Sequence, residues 1–253
     1  MRPRIYLTGR LFVEANDSFI EQRMLPGRQG RLAFVYLVGE RLRPVPRDEL
    51  ADDIWPKELP QGWEGALSAV VSKIRALLKQ LGPAVAEITI GAGSYQLQLR
   101  DDPWIDLEVA QSSIDEAEGL IRGGLVKGAW GPANVAAAIA RRPILPREDA
   151  EWVERRRRAL QDIHLRSLEC LSEIALQNGE PPLAAQFAAG VVEIEPFREA
   201  GYRRLMRACD EMGNRAEALR VYDRCRRLLA DELGVDPSPE TKAVYLALIE
   251  QTE

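Results

Sequence analysis

One histidine, three cysteines without a Cys-x-x-Cys pair and only 6% aromatic residues leave little from which to build catalytic or metal chemistry. The lone imidazole, His164, lies between Ile163 and Leu165 in a helical stretch, where a structural or surface role is expected. Cys170, Cys209 and Cys225 each fall within a helical apolar pattern. They read as buried thiols in a reducing compartment rather than as disulfides or ligands. Neither a Gly-x-Ser-x-Gly elbow nor a Gly-Lys-Ser/Thr phosphate loop occurs, so no cofactor and no enzymatic activity are expected. No apolar run approaches the roughly 18 residues that span a bilayer. The opening MRPRIYLTGRLFVEAND has neither an apolar segment nor a cleavage site of small residues, and reads as a first strand. The expected location is cytoplasmic, with no membrane partner.

What is present is a chain of 253 residues, 46% hydrophobic and 29% charged, enough for one large domain or two ordinary ones. The net charge of −5 hides an asymmetry. Residues 1–100 carry 14 Lys and Arg against 11 Asp and Glu, or +3, and the remainder carries 20 against 28, or −8. A mildly basic half suits phosphates, and an acidic half suits protein.

The punctuation divides the chain near residue 100. RIYLTGRLFV (4–13) is β-prone, a polar stretch follows at 14–18, and FIEQR (19–23) can return as a second strand. After Pro26-Gly27, RQGRLAFVYLVGE places Leu32, Val35 and Tyr36 at helical spacing until Pro44 and Pro46 break it. RDELADDIW follows as a second helix, with Asp48 as its expected N-cap. A third helix, WEGALSAVVSKIRALLKQLG, aligns Leu67, Val71, Ile74 and Leu78 in one stripe and stops at Gly82-Pro83. EITIGAGSYQLQL reads as a hairpin around a glycine-rich tip. Strands, three helices and a hairpin are the winged-helix order with an added N-terminal sheet.

Beyond Pro103 the chain is nearly continuous helix. DLEVAQSSIDEAEGLIRGG is one amphipathic segment, WGPANVAAAIARRPILPRED a linking segment with one short helix, and AEWVERRRRALQDIHLRSLECLSEIALQNGE one long helix or a pair. An internal repeat occupies the last third. At an offset of 34, Leu171 falls on Leu205, Ala175 on Cys209, Gly179 on Gly213, Ala184 on Ala218, Ala188 on Tyr222 and Ile194 on Leu228. That period, with small residues at helix crossings and glycine at the turn, is the tetratricopeptide signature. The expected fold is therefore mainly α: a winged helix-turn-helix over 1–100, then an all-α tetratricopeptide-like bundle over 101–253.

The third helix is the strongest functional segment. Away from its apolar stripe lie Ser68, Ser72, Arg75 and Lys79 at spacings of three and four, flanked by Lys73. A helix entering a major groove needs short hydroxyls for close approach and long cations for phosphates or guanine edges. By spacing alone the same residues also describe a solvated amphipathic face; position after a helix-turn-helix and before a hairpin favours DNA. Arg28 and Arg31, at the start of the first helix, suit a phosphate anchor or plain surface arginines. The run Arg155–Arg158 spreads around its helix beside Glu151, Glu154 and Asp162, and reads as a solvated, ion-paired face.

With these segments in place, the chain resembles the Streptomyces antibiotic regulatory protein family, an OmpR-like winged helix joined to a bacterial transcriptional activator domain. The resemblance rests on LPGRQGRLAFVYLV, VPRDELADDIWP, ALSAVVSKIRALLKQLG and ITIGAGSYQL, and in the second half on EIEPFREAGYRRLMRACDEMGNRAEALRVYDRCRRLLADELGVDPSPET. It implies a DNA-binding transcription regulator, an activator that binds promoter direct repeats as a pair of protomers and recruits RNA polymerase. It also implies a recognition helix carrying Ser72, Lys73 and Arg75. Arg28 and Gln29 would start the phosphate-contacting first helix, Tyr95 of the wing would contact DNA, and the loop 56–62 would face polymerase. Two features depart from the family pattern. Ser68 and Val70 stand where Gln and His are usual, and the wing run Ile90-Gly91-Ala92-Gly93-Ser94-Tyr95 has no arginine. Those departures, with Glu64 near the start of the third helix, motivate the alternative: a tetratricopeptide interaction module whose winged helix has lost DNA.

Overall fold

The computed structural model describes residues 2–82, 85–100 and 102–250; Pro83, the expected stop of the third helix, lies outside them. The chain packs into two compact units. One runs up to Val109 and includes Arg142–Leu160; the other comprises Ala110–Arg141 and the chain from Gln161 onward.

In the first unit, strands β1 (Arg4–Tyr6), β2 (Phe12–Ala15) and β3 (Ser18–Glu21) pair antiparallel, with Ile5 opposite Val13 and Val13 opposite Ile20. β7 (Trp104–Ile105) adds parallel to β1, giving the order β3-β2-β1-β7. The stretch 4–13, expected as one strand, is two, because Gly9 at φ +70° turns the chain between β1 and β2. The polar residues 14–18 are not a break between strands but the hairpin itself. Asn16 and Asp17 both take positive φ, 49° and 61°, as a two-residue turn that twists with its strands requires. Ile5, Val13, Ala15 and Ile20 are buried inward by strand alternation.

Three helices follow: α1 (Gly27–Gly39), α2 (Arg47–Ile54) and α3 (Trp63–Gln80). Leu67, Val71, Ile74 and Leu78 of α3 are each at most 2% exposed. Burial of such side chains is worth about 1.5–3 kcal/mol apiece, which fixes the rotation of the helix. The expected cap at Asp48 is a correction. Pro46, with φ −55° and ψ 148°, sets the entry angle, so α2 begins at Arg47 and Asp48 lies inside its first turn. There its charge suits the positive helix end. Of the prolines that break the chain after α1, Pro44 precedes and Pro46 ends a short strand, β4 (Val45–Pro46). β4 pairs with β6 (Ser94–Leu99), which pairs with β5 (Ala86–Gly91) to form a three-stranded wing. Pro46 costs little there because β4 is an edge. The wing turns on Ala92 and Gly93, at φ 47° and 73°.

The remaining helices are α4 (Asp106–Arg122), α5 (Val126–Ala140), α6 (Glu151–Gln177), α7 (Pro181–Ile194), α8 (Glu199–Glu211), α9 (Arg215–Leu233) and α10 (Pro239–Glu250). The expected linking segment is instead mostly α5, fifteen residues long with Pro132 inside it. Ala129, Ala133, Ala136, Ile139 and Ala140 are buried along one face, and that packing offsets the hydrogen bond lost at the proline. α6 is one helix and not a pair.

The 34-residue repeat is the second unit's organising element. α6 turns into α7 through Gly179 at φ +74°, and α8 turns into α9 through Gly213 at φ +71°. The equivalent positions Leu171 and Leu205, Ala175 and Cys209, and Ala184 and Ala218 are all buried. Small side chains at these crossings let α7 and α8 pack closely, and α10 closes against α8 and α9. All three cysteines are free and buried, and burial pushes the Cys170 and Cys225 thiols up to about 11. Burial, and then Arg141, hold His164 below the usual imidazole range. No helix among the described residues is long and apolar enough to cross a membrane.

Candidate nucleic-acid interface

The burial of one face of α3 decides what the rest of it can present. Because residues 67, 71, 74 and 78 face inward, Gly65, Ala69, Ser72 and Ala76 form an outermost ridge at spacings of four and three, and all four are exposed. Ser68 and Lys79 are also exposed and Arg75 half-buried on one flank of the ridge, with Lys73 exposed on the other. A ridge without bulk lets a backbone approach a groove floor while longer flanking side chains reach the walls. The alanines escape a sequence reading because apolar residues at helical spacing read as core.

The surrounding arginines of the first unit are spent on carboxylates. Arg4 pairs with Glu14, Arg10 and Arg23 with Glu21, Arg41 with Glu108, and Arg43 with Glu40 and Glu49. The Arg43 hydrogen bond holds Glu49 below the usual carboxylate range. By contrast, Lys73, Arg75 and Lys79 make no ion pair among the described residues, which leaves their charge to an outside anion.

Arg47 belongs with them and was missed by sequence reasoning. It is half-buried at the start of α2, and its Nη2 donates to Glu64 O at 3.2 Å and Ser68 Oγ at 2.8 Å. Its guanidinium lies over the Tyr95 ring, 5.7 Å from the centroid, and its backbone N–H donates to Gly93 O of the wing at 3.1 Å. One residue therefore joins α2, the start of α3 and the wing, and none of its partners is a carboxylate. A signal for it was present: an arginine straight after a Pro-x-Pro break, at a helix N-terminus.

Other expected positions fare differently. Tyr95 is 2% exposed, so its part is to support Arg47 from beneath rather than to touch a ligand. Arg28 is engaged inside the unit: its Nε lies 2.6 Å from Glu148 Oε2, its Nη2 3.5 Å from Asp149, and it donates to Ile54 O at 3.4 Å. Gln29 and Arg31 are half-buried near it, and Arg31 makes no ion pair among the described residues. The wing tip at Gly91, Ala92 and Gly93 is exposed and has no cation, while Ile90 beside it is 58% exposed. Glu64 is exposed on the first turn of α3. Residues 56–59, 61 and 62 of the loop before α3 are exposed, and Lys57 pairs with Asp149 at 3.3 Å. In the Arg155–Arg158 run, Arg155 pairs with Glu151, Arg156 with Glu40 and Arg157 with Glu154, an ion-paired face as expected. Asp162 pairs instead with Arg166 and Arg198. Among the described residues no group of His, Cys, Asp and Glu is arranged to hold a metal.

Comparison with known proteins adds to this geometry. The family model described as bacterial transcriptional activator domain matches residues 105–249. The regulatory protein AfsR of Streptomyces coelicolor is 31% identical over 211 residues, covering 83% of this chain and 21% of AfsR. The transcriptional regulatory protein EmbR of Mycobacterium tuberculosis is 25% identical over 226 residues, covering 87% of this chain and 57% of EmbR. The chain thus spans 21% and 57% of the length of these two relatives. A solved structure of Mycobacterium tuberculosis EmbR in complex with a low-affinity phosphopeptide shares the fold. It matches at a TM-score of 0.87 and 23% identity, over 100% of this chain and 66% of that one.

Proposed function

The chain belongs to the bacterial transcriptional activator domain family, whose matched relatives are transcription regulators, and from that premise we propose that it binds DNA by sequence and activates transcription. In this reading residues 1–100 are the DNA reader and 101–253 the activator domain. α3 lies in the major groove with Gly65, Ala69, Ser72 and Ala76 against the floor. Arg75 and Ser68 face base edges, and Lys73, Lys79 and Arg47 take phosphates. Arg31 and Gln29 take a further phosphate at the start of α1, where backbone amides point outward. Arg28 joins them only by giving up Glu148. The exposed loop 56–62 meets RNA polymerase, and two protomers occupy a direct repeat.

The observation that carries this reading is the unpaired charge. Four cations, Arg47, Lys73, Arg75 and Lys79, lack a carboxylate partner among the described residues, on and beside one helix whose outer ridge is small. Selection from random duplexes with the purified chain tests it. One enriched motif, recurring as a direct repeat, is expected. Four neutralised phosphates per protomer give a salt slope of about −3 to −4 on a single half-site, and about twice that with both protomers on the repeat. Selection that enriches nothing at low salt would leave the second reading, a protein-interaction module, which the exposed Glu64 and the cation-free wing favour.

A further inference from the structure

Between α1 and the first turns of α6, the first unit leaves a cavity of about 250 Å³ that the DNA-facing residues do not use. Its depth is apolar. Val35, Tyr36, Ile144 and Trp152 line it, and each is 9% exposed or less. Tyr36 and Trp152 meet edge-on with ring centroids 5.2 Å apart.

Its rim is cationic. Arg156 donates to Gly39 O at 3.4 Å and pairs with Glu40 at 3.0 Å. Gly39 makes that approach possible, because a Cβ there would stand 2.9 Å from Arg156 Nη2. The guanidinium is thus held in a built position at the edge of the cavity. Arg155 beside it pairs, among the described residues, only with Glu151, 85% exposed, in an i,i+4 contact that water and salt weaken. The rim's carboxylate, Glu40, is shared between Arg156 and Arg43, and Arg43 also pairs with Glu49. The cavity is thus lined by an apolar floor and, at its rim, by two arginines and one carboxylate.

We propose that this cavity is an effector site for a small carboxylate with a flat apolar body, an aromatic or short acyl acid. The body packs against Trp152, and the carboxylate accepts from Arg155 and Arg156, whose planar donor forks match it. Size sets the limit: sites for drug-sized ligands run from about 300 Å³ upward, so this one takes one or two rings and excludes a nucleotide.

The walls also reach α2. The Trp152 indole N–H donates to Asp53 O at 3.1 Å, and the Tyr36 hydroxyl donates to Glu49 at 2.6 Å. A bound acid thus adds contacts to two side chains that hold the helix bearing Arg47. Binding itself does not depend on whether α3 reads DNA.

Calorimetry on the full chain, without DNA, tests the site with indole-3-acetate, 4-hydroxybenzoate and hexanoate as probes and indole-3-acetamide as the neutral control. At least one acid should bind saturably with one equivalent, and the amide about tenfold more weakly or not at all, the loss of one charge-assisted contact. Arg155→Gln should weaken the acid about tenfold. Ala159→Phe, at an exposed position on the lining, should abolish binding. Both variants should melt like the wild type in the absence of acid. Three silent acids at millimolar concentration overturn the proposal. So does an amide that binds as well as its acid, or an Ala159→Phe chain that still binds.

Discussion

The guanidinium of Arg47 rests on the ring of Tyr95, 5.7 Å from its centroid, and reaches Ser68 of α3 from there. The stack converts a buried tyrosine into a support for a charge beside the proposed groove helix. Tyr95→Phe keeps the ring and should leave both stability and DNA affinity within about 0.5 kcal/mol, as a cation–π contact does not need the hydroxyl. Arg47→Ala should keep the fold and weaken DNA about tenfold or more, the loss of one charge-assisted contact of about 1.5–3 kcal/mol. Titration of a selected duplex, with melting curves of both variants, separates the two roles. An Arg47→Ala chain that binds DNA like the wild type would show that the arginine only braces the wing.

Two cations on α3 should behave differently under salt. Arg75, half-buried on the same flank as Lys79 and assigned to a base edge, should cost about 1–3 kcal/mol when changed to alanine and relax preference at one base position. Lys79, a turn further on, should weaken selected and random duplexes alike and reduce the salt slope by about one. Affinity measured on both duplexes across a salt series distinguishes them. Equal loss of specificity from both changes would mean that the helix lies differently in the groove.

How much of this was legible in the sequence follows from the kind of signal involved. The stripe Leu67, Val71, Ile74 and Leu78 was readable because burial imposes the 3.6-residue period directly on the residue types. The repeat was readable because Gly179 and Gly213 each supply a positive φ that other residues rarely adopt. The turn at Asn16 and Asp17 was missed because polar residues there read as a gap between strands, although their left-handed tolerance is the same kind of clue. α5 was read only as one short helix in a linking segment because Pro132 outweighs its neighbours locally, whereas tertiary burial of Ala129, Ala133 and Ala136 decides the outcome. At the site, spacing identified Lys73, Arg75 and Lys79, but no local pattern says which cations are free. That depends on Glu148 reaching Arg28 from 120 residues away in the chain.

Gly201 of α8 tests how tightly the repeat is packed. A Cβ at this position would stand 2.9 Å from Val191 Cγ1 and 3.1 Å from Val192 Cγ2, with Gly201 itself buried. The 34-residue offset places Ser167 at the equivalent position of α6, also fully buried, so both crossings keep a small residue. Gly201→Ala gains helix propensity of about 1 kcal/mol but overpacks the crossing by about 1–3 kcal/mol. A net loss in thermal or denaturant stability is therefore expected, with secondary structure retained. A more stable Gly201→Ala chain would show that α7 yields freely.

The second unit should also lose stability in acid through one identifiable contact. Arg166 of α6 donates to Glu118 Oε1 at 2.7 Å and to Asp115 Oδ1 at 2.8 Å on α4. The Arg166 hydrogen bond holds Glu118 below the usual carboxylate range; the Gln111 hydrogen bond and then Arg166 do the same for Asp115. Each carboxyl is easier to ionise in the folded chain than in the unfolded one, so the folded state binds fewer protons in acid. The contribution is complete above the unfolded value, about pH 4.3 for a glutamate, and is lost as pH falls through the lower folded value. Glu118→Gln should therefore be less stable than the wild type near neutrality, and the gap should close below about pH 4. Denaturant midpoints at a series of pH values check this. A gap that stays constant into acid would assign the cost of the substitution to packing rather than to the ionised pair.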